Sequence, residues 1–256
     1  MLGRERQNLI LDMLGANRTV RIPELTERFG VSVATIRRDL DILESKGLIR
    51  RIYGGAELAE RKGYEQPIFN TRVTRNAQNK ALIGSAAARL ISEGDTIVLD
   101  IGTTTLEVAK NIGDVPHLTV LTNSLPVLNE LVSGSANVYA LGGRLRSQEL
   151  SIGGSMAEET LNSFFVDKAF VGAGGITLEN GITDFTPDSA QLCSAIMKRA
   201  NEVILVADSS KFNKNVFAKV APLSHVDTVV TDSGIPEEYV KAFAKMEIKL
   251  IIADEI

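Results

Sequence analysis

Two groups of residues in this chain have the types and spacing to do chemistry. The first is a set of short loops that each follow an apolar run. Asp100-Ile101-Gly102-Thr103-Thr104-Thr105 follows TIVL, Asn123-Ser124 follows LTVLT, and Gly142-Gly143-Arg144 follows NVYAL. Ala173-Gly174-Gly175 follows KAFVG, and Asp208-Ser209-Ser210-Lys211 follows EVILVA. Gly102 lets the backbone come close to a ligand, and the amides and hydroxyls of Thr103, Thr104 and Thr105, read at the start of a helix, make an anion cradle. Lys211 and Arg144 add positive charge. Asp100 and Asn123 suit hydroxyl groups, since a carboxylate accepts and an amide both donates and accepts. Asp184, in GITDF, lies near a strand end and either touches the same ligand or caps the turn before Pro187. Gly-Gly pairs and Thr clusters also serve as plain turns and caps, so it is the shared placement of these loops that points to one pocket for a small phosphorylated polyol or sugar.

The second group is N-terminal. SVATIRRDLDILESKG carries Arg37 and Arg38 beside Ser32, Val33 and Thr35, and LIRRIYGG carries Arg50, Arg51 and Tyr53 before Gly54-Gly55. Arg bonds guanine in bidentate fashion, and Ser or Thr reaches bases or phosphates, when a helix enters the major groove by its N-terminal end. Ser32, Val33, Thr35 and Arg38 are then placed to read bases. Arg37, Arg50, Arg51 and the Gly54-Gly55 backbone are placed to hold phosphates, with Tyr53 beside them. A solvated face, or a module for protein contacts, has similar arginines; their pairing with a capped helix favours DNA.

The elements that must position these residues follow from the hydrophobic pattern. Leu9, Ile10, Met13 and Leu14 recur at helical spacing up to Gly15 and Asn17. Pro23 opens a second short helix that breaks at Gly30, and Ser32 caps a third, with Val33, Ile36, Leu40 and Leu43 inward and Gly47 as its stop. LIRRIYGG alternates as a hairpin or wing turning at Gly54-Gly55. Residues 58–78 read as a polar linker with Gly63 and Pro67. From there apolar strands alternate with helices, the pattern of a mostly parallel sheet covered on both faces, whose ligand loops emerge at the strands' carboxyl ends. The fold class is α/β, with an N-terminal winged helix-turn-helix at 1–57, the linker, and an α/β unit at 79–256.

Composition bounds the function. The chain has 256 residues, one Cys and no Trp, which excludes an internal disulfide and points to a reducing, cytoplasmic setting. Cys193 reads as a small buried residue of an apolar helix, and His117 and His225 as loop residues, so no metal or other cofactor is expected. MLGRERQNLI is too charged for a signal peptide, and no apolar run nears the roughly 18 residues of a membrane span. The net charge of -4 hides an asymmetry: residues 1–55 hold ten Lys/Arg and seven Asp/Glu, so a basic head is joined to an acidic body.

ELTERFGVSVATIRRDLDILESKGLIRRIYGGA closely resembles the DNA-binding signature of the DeoR family of bacterial transcription regulators. The body is similar to that family's effector domain through DIGTTT, TNS, LGG, FVGAGGI and ADSSKF. The resemblance implies operator binding by the winged unit and a body that resembles ribose-5-phosphate isomerase and senses phosphorylated sugars. Gly102, Thr103, Thr104 and Thr105 would bind phosphate, Asn123 and Ser124 the sugar or phosphate, and Lys211 the anionic end. Ser189-Ala190 departs from relatives with an acidic residue at that point, which argues against retained isomerase chemistry. The expectation is a homo-oligomeric repressor, dimer or tetramer, of a carbohydrate operon, released from double-stranded operator DNA by a phosphorylated sugar effector. The alternative is a phosphosugar isomerase-like enzyme with a DNA-binding head, using Asp100, Asp184 or Asp208 as acid and base.

Overall fold

The structure is a computed structural model that describes residues 3–17, 19–45, 48–58 and 68–253. Gly47, Gly63 and Pro67, which the sequence offered as a helix stop and linker marks, lie outside the described residues. The chain divides into two compact units, Met1–Glu65 and Gln66–Ile256.

The first unit holds α1 (Gly3–Asn17), β1 (Thr19–Arg21), α2 (Ile22–Phe29), α3 (Val33–Ser45), β2 (Ile49–Ile52) and β3 (Gly55–Leu58). Ile10, Leu14, Leu25, Ile36, Leu40 and Leu43 come together in its core, as helical spacing predicts. Ser32 starts α3 by accepting from the Thr35 amide at 3.2 Å. Its neighbour Val33, expected inward, is 46% exposed, because the first turn of α3 runs past the core. Two features were not visible in the sequence. β1 forms a third antiparallel strand, in the order β1-β3-β2, and Asp39 is buried in α3, accepting from Arg6 Nε at 2.6 Å and Gln7 Nε2 at 3.0 Å.

The wing also turns one residue earlier than the sequence suggested. Ile52 pairs with Gly55, so Tyr53-Gly54 makes the turn and Gly55 belongs to β3. The reason is steric: a Cβ on Gly55 would lie 2.0 Å from the Val20 carbonyl oxygen, so only glycine lets β3 approach β1.

The second unit begins with α4 (Phe69–Thr74) and α5 (Ala77–Ala88). This corrects the linker expected over 58–78: its C-terminal part is helical, and Phe69 is buried. Then come β4 (Thr96–Leu99), α6 (Thr103–Ala109), β5 (Thr119–Thr122), α7 (Leu125–Leu131), β6 (Asn137–Ala140), the hairpin strands β7 (Arg144–Arg146) and β8 (Ser151–Gly153), and α8 (Ser155–Leu161). β9 (Val166–Val171), β10 (Gly175–Thr177), β11 (Gly181–Asp184), α9 (Pro187–Arg199), β12 (Ala200–Val206), β13 (Ala218–Ala221), β14 (Thr228–Asp232), α10 (Glu237–Lys245) and β15 (Lys249–Ala253) complete it.

Seven strands form one parallel sheet in the order β15-β14-β12-β9-β4-β5-β6. Each central strand is buried on both faces. Ile97 and Leu99 of β4 pack with Ile83 and Ala87 of α5, while Val98 joins the opposite core with Leu192 and Ile196 of α9. The chain order reverses between β4 and β9. From β4 the sheet grows through β5 to β6 in one direction, and from β9 through β12 to β14 in the other, which opens a crevice at the carboxyl ends of β4 and β9. Two small antiparallel sheets, β7-β8 and β10-β11-β13, were missed by the sequence reading because strands of three or four residues carry almost no periodicity.

Candidate functional site

Five adjacent strands, β12, β9, β4, β5 and β6, deliver the five loops singled out in the sequence to one edge of the sheet. Asp100 stands at the crevice. It is 4% exposed, and its N–H donates to the Phe170 carbonyl at 3.1 Å. Burial pushes its carboxyl up to about 7, against the pull of a bond from the Ile101 amide. The Cys193 thiol hydrogen-bonds it, and burial and that acid push the thiol well up, so Cys193 is a buried neutral group, as expected from its helix. Thr103, Thr104 and Thr105 are buried in the first turn of α6, whose leading N–H groups have no partner along the helix. Thr105 turns its hydroxyl back onto the Gly102 carbonyl at 3.0 Å, which leaves the hydroxyls of Thr103 and Thr104 for other work.

A cationic group faces this crevice. Lys211 sits in a short turn after β12 that Asp208 opens by accepting from the Ser210 amide. Burial lowers Lys211 to about 8, with Arg72, Lys80 and Arg75 repelling its charge and Asp208 attracting it. Lys80, 4% exposed, is lowered to about 8 by burial and by the same arginines, and its Nζ donates to the Arg75 carbonyl at 2.6 Å. Asp208 is held below its ordinary value despite its burial, through bonds from Ser210 and from Asn76 at 2.8 Å. Asn76 lies between α4 and α5, so the turn joining those helices is tied to the Lys211 loop.

The opposite wall is the β7-β8 hairpin. Phe69, at the start of α4, donates its N–H to the Gln148 carbonyl at 3.1 Å, which seats α4 on the hairpin turn. Arg72 carries Nε and Nη2 atoms that are buried without a partner, and it feels the charges of Glu149 and Asp184. Arg146 binds Glu149 at 3.1 Å, Thr186 at 2.7 Å and Ser189 at 2.6 Å, joining the hairpin to the start of α9. Ser189 is therefore a hydrogen-bond partner of an arginine. Asp184 is raised by burial and accepts from the Phe185 amide at 2.6 Å. Glu149 is raised by burial to about 6.

Other expected site residues stand apart from this group or already have structural duties. Arg144 is 77% exposed along its side chain and pairs with Asp188, whereas Arg146 is 13% exposed and turns inward. Ser124 caps α7. Gly143, Gly174 and Gly175 make room for protein: added Cβ atoms would lie 2.5 Å from the Gly153 oxygen, 2.8 Å from the Val216 side chain and 2.3 Å from the Lys214 oxygen. Gly142 is half-buried in the β6-β7 connection. The sequence reading missed Arg72, Arg75, Lys80, Arg146, Glu149 and Ser151. The local signal at Arg72 and Arg75 was two arginines in a polar stretch, which a linker would share.

In the winged unit, Val33, Arg37 and Arg38 are exposed on α3 and Tyr53 stands fully exposed at the wing tip. Ser32 and Thr35 share a hydroxyl bond of 2.9 Å at the start of the same helix. Arg50 pairs across the wing with Glu57 and stays largely exposed. Arg51, expected to be free for phosphate, is instead bonded to Asp41, and its amide donates to Glu44 at 2.9 Å. It braces the wing against α3.

Comparisons with known proteins agree with this two-part layout. The family model for the DeoR-like helix-turn-helix domain matches residues 6–62, and that for the DeoR C terminal sensor domain matches residues 75–233. The transcriptional repressor AccR of Agrobacterium fabrum is 38% identical over 93% of this chain and 96% of its own. The HTH-type transcriptional regulator GolR of Listeria innocua is 32% identical over 98% of each chain. Among solved structures, ribose 5-phosphate isomerase A of Methanocaldococcus jannaschii covers 54% of this chain and 55% of its own, at 17% identity and a TM-score of 0.41. The sequence relatives carry the names of regulators, not of enzymes. With a DNA-binding winged unit and a sensor unit matched in order along one chain, this protein belongs to the DeoR family of transcriptional regulators.

Proposed function

We propose that this regulator is a homo-oligomeric repressor of a carbohydrate operon and that a phosphorylated sugar intermediate releases it from its operator. The observation that carries the reading is the group of Arg72, Arg75, Lys80 and Lys211, in which burial first and then the neighbouring arginines lower the proton affinity of both lysines. A cluster of like charges in a crevice is costly unless an anion joins it, and a phosphate supplies two negative charges and acceptor oxygens. The buried Thr103 and Thr104 at the start of α6 add donors for the same anion, and Asp100, Asn123 and Asp184 face the remainder of the ligand. Gly102, Thr105, Ser124, Gly142, Gly143, Gly174, Gly175 and Asp208 shape the loops around it. Arg144 is left out of this site in favour of Arg146.

On the DNA side, Ser32, Val33, Thr35 and Arg38 read bases, while Arg37, Arg50, Tyr53 and the Gly54-Gly55 backbone contact phosphates. Arg51 holds the wing in place. The ligand engages α4, the first described element after β3, which gives the signal a covalent route along the chain. A coupling of about 1–3 kcal/mol changes operator affinity roughly 5- to 150-fold, enough to switch a gene.

The test is fluorescence-anisotropy binding of the full-length protein to DNA upstream of its own gene, at fixed salt, with a panel of free and phosphorylated sugars. Specific binding that one phosphosugar releases is expected, and Lys211→Ala should keep the DNA affinity while losing the release. Specific binding that no phosphosugar alters, or release in Lys211→Ala at the wild-type concentration, overturns the proposal.

A further inference from the structure

We infer that Asn123, Glu149 and Ser151 form a hydroxyl-reading subsite beside the anion site, one that selects a phosphorylated ligand with several free hydroxyls over a bare or singly substituted phosphate. This deepens the function proposed above and rests on it. Each of the three residues carries one buried side-chain oxygen without a partner: Asn123 Oδ1, Glu149 Oε2 and Ser151 Oγ. All three are nine-tenths or more buried, at 1%, 5% and 0% exposure. Buried polar atoms are nearly always bonded, so three orphans in one place mark a missing occupant.

They share one place because the backbone ties them together. Asn123 accepts from the Ile152 amide at 2.8 Å through its main-chain oxygen, and its Nδ2 donates to the Ile152 carbonyl at 3.0 Å. Ser151 is the residue before Ile152 and forms a bridge with Ser124. Glu149 is in the same hairpin turn, with its amide on the Arg146 carbonyl at 3.1 Å. The same bonds fix which atom is left over. One N–H of the Asn123 amide is anchored on the Ile152 carbonyl, which orients the group and leaves its oxygen without a partner; the Glu149 Oε1 accepts from Arg146, and Oε2 has no partner.

The chemistry of the leftovers names the ligand. Amide and carboxylate oxygens only accept, and the Ser151 hydroxyl does either. A phosphate dianion or a ketone brings further acceptors and leaves these atoms unsatisfied, whereas hydroxyl groups bring O–H donors. The orphaned Nε and Nη2 of Arg72, whose charge Glu149 feels, are donors and match an anionic end. Acceptors beside donors thus describe a ligand with a chain of hydroxyls ending in an anion, a sugar or polyol phosphate.

Isothermal titration of the full-length protein tests this with ethyl phosphate, which has no hydroxyl on its carbon chain. The hydroxylated probes are ribose 5-phosphate, glucose 6-phosphate, glucitol 6-phosphate and ribitol 5-phosphate. At least one of these should bind about tenfold or more tighter than ethyl phosphate, since a site built to bond hydroxyls strongly rejects ligands lacking them. Ser151→Ala and Glu149→Gln should each shrink that ratio several-fold, with the loss confined to the hydroxylated probes. Calorimetric melting shows whether each variant is folded, and Ser151→Ala carries the test if Glu149→Gln is not. An unchanged ratio in folded variants, or ethyl phosphate binding as tightly as every hydroxylated probe, overturns this inference and leaves the anion site standing. No binding by any of the phosphates overturns the anion site and this inference with it.

Discussion

Raising the pH from 7 to 10 should weaken phosphate-ligand binding about tenfold per unit once pH passes 8, and the size follows from the lysines. Burial and neighbouring arginines hold Lys211 and Lys80 to about 8. At pH 7 each is about nine-tenths protonated, and at pH 9.5 only a few per cent is, by the ordinary titration relation. A phosphate monoester has its second pKa near 6, so the ligand remains a dianion over the whole range and the change belongs to the protein. If the dianion needs Lys211 charged, log affinity falls with slope -1 above pH 8; if it needs Lys80 as well, the slope reaches -2. The fall ends where the bound-state pKa lies. A full return of one lysine to its ordinary 10.5 sets an upper bound of about 3 kcal/mol for its share. Stability of the ligand-free sensor unit moves the other way. Between 8 and 10.5 the unfolded chain still holds protons that the native lysines have released, so this contribution makes the native unit more stable as pH rises, and bound phosphate flattens that rise. The assay is titration calorimetry with a phosphosugar at half-unit steps, on wild type and on Lys211→Gln. An affinity that is flat to pH 10, or a slope that Lys211→Gln leaves untouched, would show that these cations do not hold the anion.

The winged unit supports two further tests. Arg38→Ala should cost about 1–3 kcal/mol on the operator and little on random DNA, while Arg50→Ala should weaken both equally and reduce the salt slope by about one unit; anisotropy at several salt concentrations separates these outcomes, and equal loss of discrimination from both would reverse the assigned roles. Asp39→Ala strands the buried Arg6 guanidinium and should lower the stability of this unit by about 3–5 kcal/mol; scanning calorimetry showing no shift in its melting would refute that estimate.

The parts of the fold that read clearly from the sequence are those buried on both faces. β4, β9 and β12 end in continuous apolar runs, IVL, AFV and VILV, and such runs between helices of amphipathic pattern leave few alternatives to a parallel sheet. The third helix of the winged unit was legible for a different reason: Ser32 can cap it, and Ile36, Leu40 and Leu43 repeat at its pitch. α4 had neither signal. It is six residues long and buries Phe69, so nothing in its pattern distinguishes it from polar linker. β1 is specified chiefly by its partner, through the room that Gly55 leaves at Val20.

The candidate site divides along the same line. The rule that ligands gather at strand carboxyl ends finds any residue that directly follows a strand, and it placed Asp100, Thr103, Asn123 and Lys211 at one edge. It has no purchase on residues that reach the edge from elsewhere. Arg72 comes from a helix that precedes the first strand of the sheet, and Arg146 and Glu149 come from a hairpin inserted after β6. Arg144 and Arg146 are indistinguishable as letters in RLR; what separates them is that Thr186 and Ser189, some forty residues onward, accept from one and Asp188 draws the other outward. Charge placement in such a site is a long-range property. In the proposed site the lysine that a strand-end rule supplies has its charge opposed first by burial and then by Arg72 of α4, Lys80 and Arg75, and that crowding is a fact of the folded chain.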